Sequence, residues 1–459
     1  MAALEHGRLS VREKVGYGLG DAAANFIFQT MVVFQLAFYT DTFGITAAAA
    51  GTLFLVVRVF DAGFDPLMGV VADRTETRWG KFRPWILWTA VPFGIMGFLA
   101  FTTPDLGPTG KLTYAYVTYI LLMMVYSANN LPYSALSGVM TGDPIERTSL
   151  SSYRMVFAMA SQLVIQGLAL PMVKHFGEGN DARGYRITMG IFSVLAVIFF
   201  VITFLSTRER VRPDPRQKSS IRQDFADLLA NGPWKAMFAL TVILFITLAL
   251  RGGVVLYFFK YYVRREDLFG WFNVVGTGAT IISVVLSKTV AERVGKRRLF
   301  IWGLLGTVVF TVAFIALPAD NLPLIFAMEA LRQFAYGFTI PLLWAMMADV
   351  ADFSEWKNHR RATAVIFSAI IFGLKAGLGF GGAIGGYLLD AYGYVPNAVQ
   401  SAHSLLGIRL TTSVYPAIGF FLCAVCLYFY RIDASVETTM SRELGERREA
   451  FGTPLPSAP

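Results

Sequence analysis

The chain has 459 residues, of which 55% are hydrophobic, 14% aromatic and only 15% charged. A soluble domain carries about 25% charged residues, so this composition excludes an ordinary soluble globular protein. The formal net charge is +9, but the basic residues cluster in particular loops between apolar runs, which points to membrane topology rather than to a nucleic-acid partner.

Apolar runs of about 20 residues, enough to cross a hydrocarbon core of ~30 Å, recur from end to end. They predict twelve spans, over 15–43, 46–72, 84–103, 113–139, 151–175, 185–206, 233–261, 269–290, 299–317, 322–349, 364–392 and 407–430. The expected fold is all-α, a polytopic membrane protein of twelve transmembrane helices. Basic clusters follow the second span (Arg74, Arg78, Lys81, Arg83), the sixth (Arg208, Arg210, Arg212, Arg216, Lys218, Arg222) and the eighth (Arg293, Lys296, Arg297, Arg298). Charge of this kind puts both termini in the cytoplasm; "KYYVRR" at 260–265 is a local exception to the pattern. The largest polar break, 207–232, divides the spans six and six. The domains are therefore read as an N-terminal bundle 1–206, a central cytoplasmic loop 207–232, a C-terminal bundle 233–431 and a cytoplasmic tail 432–459. Weak internal similarity, "ADRTETRWGKFRPW" against "AERVGKRRLFIW", makes the two six-helix bundles pseudo-symmetric. Repeats of this kind belong to carriers whose substrate site lies at the midplane.

The intramembrane polar residues follow in chain order. The first span carries Asp21 and Asn25, four apart and so on one helix face. The second, "VVRVFDAGFDPLMG", holds Arg58, Asp61 and Asp65, which stack along one side of a helix. Each charge at mid-membrane costs ~2.5–3.5 kcal/mol. Arg58 can pair with Asp61, which leaves one carboxylate in excess, and such a group takes up a proton or holds a metal cation. The bland alternative is that the three residues only lock this helix against its neighbours. The fourth span carries Tyr126, Ser127, Asn129, Asn130 and Tyr133, the fifth Arg154, the seventh Arg251. In the tenth, Glu329 and Arg332 are placed to satisfy each other, and Trp344 follows. The eleventh carries Lys375, then a glycine-rich run, 377–386, that close helix packing explains. Amides, hydroxyls and aromatic faces suit a sugar, and equally admit a polar amino acid or a nucleoside. Cys423 and Cys426 read as small packing residues in an apolar helix. The four histidines form no ligand cluster and no nucleophile has a positioned base, so no catalytic or metal-enzyme chemistry is expected. The N-terminal "MAALEHGRLSVREKVGYG" lacks the pattern of a removable signal peptide.

These residues carry a resemblance. "YGLGDAAANF", "AGTLFLVVRVFDAGFDPLMGVVADRTETRWGKFRPWIL", "NNLPYSALSG" and "ADVADFSEWKNHRRATAV" are similar to stretches of the glycoside–pentoside–hexuronide:cation symporters, a branch of the major facilitator superfamily that includes melibiose permease. The resemblance implies the major facilitator fold and cation-coupled uptake of a sugar, with no cofactor beyond the coupling ion, Na+ or H+. It implies that Asp61 and Asp65 are the coupling-ion carboxylates (metal ligands if the ion is Na+) and that Ser127 stands at a sodium-ligand position. Asn25 and Asn130 fall where melibiose permease has sugar-binding aspartates, Arg154 at a substrate-contacting arginine, Trp344 at a tryptophan of the sugar pocket, and Lys375 at a lysine near the cation site. The two asparagines, with Arg154, Arg251 and Lys375 kept, turn the expectation toward an acidic sugar such as a uronide. Phe64, in place of an asparagine near the ion, removes an oxygen ligand and favours a proton.

The expectation is thus a secondary symporter working by alternating access, with Asp61, Asp65 and Ser127 at the cation and Asp21, Asn25, Tyr126, Asn130, Arg154, Arg251, Trp344 and Lys375 at the substrate. The alternatives are a cation-coupled lysolipid carrier and, disfavoured, a membrane-embedded enzyme. The expected setting is the plasma (inner) membrane, with a monomer as the functional unit, the lipid bilayer and a small sugar or glycoside as partners, and no nucleic acid.

Overall fold

The structure is a computed structural model that describes residues 9–141, 144–210, 231–358 and 363–432, and parts of 435–446. Helix α1 (Val11–Ala37) opens on a capping box: Ser10 Oγ accepts from the Glu13 amide, and the Glu13 carboxylate accepts from the Ser10 amide at 3.1 Å, so two otherwise orphaned donors are satisfied. It runs on as a π-turn, Phe38–Phe43, and stops at Gly44, whose φ of 85° only glycine adopts readily. Helix α2 (Ala47–Arg74) starts on the Thr46 cap and carries Pro66 in its interior. There follow α3 (Arg83–Ala100), α4 (Pro108–Met140), α5 (Pro144–Gly177) and α6 (Asp181–Ser206). After the central loop come α7 (Gly232–Tyr257), α8 (Phe269–Val294), α9 (Lys296–Ala313), α10 (Leu322–Gly337), α11 (Thr339–Asn358), α12 (Thr363–Ala391), α13 (Ala402–Thr412) and α14 (Val414–Tyr428).

Helix covers each of the twelve expected spans; α10 with α11 makes the tenth and α13 with α14 the twelfth. Among the described residues, 10 helical stretches are long and apolar enough to cross a membrane. Helices α3 and α4 stand outside that set: α3 has only 18 residues and begins on Arg83, and α4 carries the polar run around Asn129 and Asn130. The chain is an all-α, multi-pass membrane protein.

The chain packs as two compact units. The first comprises Met1–Arg216, Ala249–Val274 and Gly379–Thr411. In it α1 lies against α5 and α6, α3 against α4 and α6, and α2 against α4. The glycines of α1 allow that closeness: a Cβ on Gly20 would come within 2.5 Å of the Tyr133 ring. The second comprises Gln217–Leu248, Val275–Leu378 and Thr412–Pro459. Its core joins Met237 and Leu240 of α7, Phe300 and Leu304 of α9, Met346 and Met347 of α11 and Phe420 and Cys423 of α14. Cys423 is buried there as a packing residue, as expected, and its thiol lies 3.6 Å from the Leu240 carbonyl.

The start of the central loop is docked. The Glu209 carboxylate accepts from the backbone amides of Lys81, Phe82 and Arg83 at 2.8, 2.7 and 2.9 Å. Those amides open α3, where the helix dipole favours an anion. Residues 211–230 of the loop lie outside the described residues.

Candidate functional site

Helix α2 brings Arg58, Asp61 and Asp65 onto one face by their i, i+3, i+7 spacing. Asp61 is 3% exposed. Its Oδ1 accepts from the hydroxyl of Ser127 on α4 at 2.8 Å, and its Oδ2 lies 3.5 Å from Nη1 of Arg58. The hydroxyl contact is thus the tighter of the two, and the arginine pair sits at the outer limit of hydrogen bonding. Asp65 is half-buried, one turn further along. The structure therefore joins Asp61 to Ser127, two of the three residues read as the cation site, through two different helices.

What leaves room for Arg58 is a glycine of α12. A Cβ on Gly379 would stand 1.9 Å from Cγ of Arg58, and one on Gly386 would stand 2.4 Å from the Ala47 carbonyl. The glycine-rich run does pack closely, as its composition suggests. Its particular service at Gly379 is to leave room for the arginine beside Asp61.

The second polar group centres on Asp21 and Arg154. Arg154 Nε donates to Asp21 Oδ1 at 3.0 Å, and the guanidinium lies 5.3 Å from the centre of the Tyr133 ring. Tyr133 stacks on Tyr17 with ring centres 4.7 Å apart, and its hydroxyl donates to the Tyr17 carbonyl at 2.6 Å. Asn25 turns its amide back to the Asp21 carbonyl at 2.8 Å. Tyr126 stacks on Phe28 at 4.9 Å. Neighbouring asparagines on α4 part company: Asn129 is buried and donates to Thr89 Oγ1 of α3 at 2.7 Å, whereas Asn130 is half-buried. Asp21, Asn25, Tyr126, Asn130 and Arg154 all belong to the first unit. Of the stacked pair beneath Arg154, the sequence singles out Tyr133 among the polar residues of the fourth span, whereas Tyr17 does not stand out.

Arg251 of α7 is buried in the first unit at 6% exposure. Trp344 of α11 and Lys375 of α12 belong to the second; Trp344 is 36% exposed and Lys375 half-buried. In α10, Glu329 and Arg332 form a bidentate pair at 2.6 and 2.9 Å, both buried, so they do satisfy each other.

A third cluster was not anticipated. At the π-turn after α1, the Asp41 carboxylate receives Lys260, Tyr261 and Tyr394, and the Asp41 carbonyl accepts from Asn397 Nδ2 at 2.6 Å. Tyr257 and Thr40 meet alongside at 2.7 Å. All belong to the first unit. The cluster accounts for one charge of the basic "KYYVRR" exception, since Lys260 there is paired with Asp41, while Arg265 pairs with Asp267. Tyr394 lies beyond α12; its burial above all, then the Asp41 charge, pushes its phenol above the ordinary tyrosine value and keeps it a donor.

The profile of the MFS/sugar transport protein family matches residues 16–434. The inner membrane symporter YicJ of Escherichia coli (strain K12) is 38% identical over 449 residues, covering 96% of each chain. The isoprimeverose transporter of Lactiplantibacillus pentosus is 36% identical over 95% of this chain and 91% of its own. A glucuronide carrier protein homolog of E. coli (strain K12) is 34% identical over 96% of this chain and 97% of its own. In fold, the chain is similar to a bacterial homolog of the human lysosomal transporter Spinster, with a TM-score of 0.66 at 16% identity over 93% of this chain and 100% of that one. With helices at all the expected spans, and with a family profile that matches almost the whole chain, the protein belongs to the MFS/sugar transport family, in its glycoside–pentoside–hexuronide:cation symporter branch.

Proposed function

We propose that the chain is a secondary symporter that couples movement of a monovalent cation, H+ or Na+, to inward movement of a sugar, glycoside or uronide. The single observation that carries this reading is the junction of Asp61 with Ser127 and Arg58. Two carboxylates and one arginine on α2 make a face whose charge a bound cation can neutralise, and a hydroxyl oxygen from α4 stands at the same carboxylate. A cation of either kind would be held by Asp61, Asp65 and the Ser127 hydroxyl. Its arrival changes the charge between α2 and α4, and α4 also carries Tyr126, Asn130 and Tyr133. That is a physical link from the ion to the polar face around Asp21 and Arg154. Such coupling is reciprocal: the sugar raises the affinity for the cation by the factor by which the cation raises affinity for the sugar.

The polar face supports a polyhydroxylated ligand. Arg154 is one-third exposed over the Tyr133 ring, Asn25 and Asn130 offer amides, and Tyr126 lies on the same helix as Asn130, stacked on Phe28. An arginine beside amides admits a carboxylate on the sugar. Arg251, Trp344 and Lys375 complete the reading as substrate residues of the C-terminal half. The six-and-six division expected at 207–232 would give the two bundles for alternating access, with both termini on the cytoplasmic side of the inner membrane, although the compact units observed do not follow that division.

The test is uptake into proteoliposomes of purified protein, across neutral and acidic glycosides, driven separately by a sodium gradient and by a pH gradient. Uptake of at least one sugar that needs one of the two gradients is the expected outcome. Sugar uptake indifferent to both gradients, or undiminished in Asp61→Asn/Asp65→Asn, would overturn the coupling.

A further inference from the structure

The second unit holds a cavity of about 690 Å³ between the start of α7, the end of α11 and the end of α14, and none of the polar residues just described lines it. Its mouth carries Lys235, Lys357 and Arg431, and its walls include Phe353, Cys426 and Phe429. No carboxylate occurs among the described residues that line it. Gly232 opens α7 at the same mouth, which adds the positive end of a helix dipole. Lys235, Lys357 and Arg431 are all exposed at this mouth, and together with the helix end they offer positive charge to an anion that enters it.

The walls say which anion. From this cavity an exposed apolar stripe, Phe429, Tyr428, Val425, Leu422, Phe421 and Ile418, runs along α14 for about 16 Å. A soluble phosphate ester has no use for such a track, whereas an acyl chain fits it. The volume falls within the ~300–1,000 Å³ of pockets that enclose a small organic group, which suits a phosphoglycerol headgroup and its backbone. The mouth lies at the start of α7 and the ends of α11 and α14, on the side that the charges of the sequence assign to the cytoplasm. Basic pockets between helices on that face take anionic lipid headgroups.

We propose that this cavity is a binding site for one anionic phospholipid of the inner leaflet, whose phosphate sits among Lys235, Lys357 and Arg431 and whose chains follow α14. The site is separate from the cation and sugar residues, and it does not depend on how those are assigned.

The test is native mass spectrometry of the full chain in detergent, titrated with phosphatidylglycerol, with phosphatidylcholine of the same chains, and with soluble glycerol 1-phosphate. One phosphatidylglycerol should be retained selectively, and glycerol 1-phosphate at equal concentration should neither bind nor displace it. In Lys235→Gln/Lys357→Gln/Arg431→Gln retention should weaken on the order of 100-fold. Ala239→Trp, which fills the cavity and keeps every charge, should weaken it as well, and it serves where the triple variant fails to fold. Equal retention of the two lipids, or retention unchanged in a folded variant, overturns the proposal. Displacement by glycerol 1-phosphate alone overturns the lipid and leaves a site for a soluble phosphate ester.

Discussion

Ser127 on α4 donates its hydroxyl to Asp61 on α2 across 2.8 Å, and both side chains are buried. A charged hydrogen bond of this kind contributes about 1.5–3 kcal/mol. It ties the helix that carries the acids to the helix that carries the polar aromatic face. In the proposed function, the junction is where a change at the ion would be passed to the ligand side.

Ser127→Ala is expected to shift the cation concentration for half-maximal sugar uptake by about tenfold or more. At saturating cation, the affinity for sugar should change much less. Uptake measured against sodium concentration and against pH, in separate series, checks this. An unmoved half-maximal concentration in both series would place the ion elsewhere.

Gly379→Ala should mimic damage at the proposed cation site from a different helix, because its Cβ would meet Arg58 Cγ at 1.9 Å. The arginine must move away from Asp61 or α12 must retreat. Gly69→Ala, on α2 where nothing stands within 4 Å, is the control. Cation-dependent uptake should fall in the first variant only, while the control gains up to ~1 kcal/mol of stability from helix propensity.

Arg154→Gln should abolish or strongly weaken binding of acidic sugars. It leaves Asp21 buried without its 3.0 Å partner. Removing one partner of a fully buried pair costs about 3–5 kcal/mol, but Arg154 is one-third exposed and solvent screening reduces this to roughly 1–2 kcal/mol. A ligand-dependent thermal shift on neutral against acidic glycosides separates the two effects. Arg154→Lys should restore folding but not the planar, bidentate recognition of a carboxylate.

Glu329→Gln tests the opposite kind of residue. The pair with Arg332 is bidentate and both side chains are nearly inaccessible. Its loss is expected to lower stability by about 3–5 kcal/mol. The ratio of uptake rates among different sugars should stay constant in whatever fraction remains folded. A changed ratio would make the pair part of the substrate site.

Tyr394→Phe bears on the Asp41 cluster. Burial and the Asp41 carboxylate raise the Tyr394 phenol above its ordinary 10.0 in the folded state. A group raised on folding contributes stability that is complete below the unfolded value and is lost as pH rises toward the folded one. The thermal midpoint of the wild-type chain should therefore fall between pH 9.5 and 11, which are conditions of the experiment. The variant should show a shallower fall in that window, from a lower midpoint at neutral pH because its bond to Asp41 is gone. Parallel slopes in the two proteins would contradict this.

Much of this was legible in the residues because hydrocarbon is an unforgiving solvent. Twenty apolar residues in a row have one stable arrangement there, a helix with its backbone bonds satisfied internally. The span positions and the all-α class follow from that alone, and so does the prominence of Arg58, Asp61 and Asp65. Spacing of three and four also sufficed to pair Glu329 with Arg332, since both partners ride on one helix. Partnership between helices has no such local rule. That Asn129 serves α3 while Asn130 does not, that Gly379 makes room for Arg58, and that Asp41 gathers Lys260 and Tyr394 from distant parts of the chain were settled only when the helices packed. Single-helix periodicity fixes which face a residue shares, and it carries no information about which neighbour that face will meet.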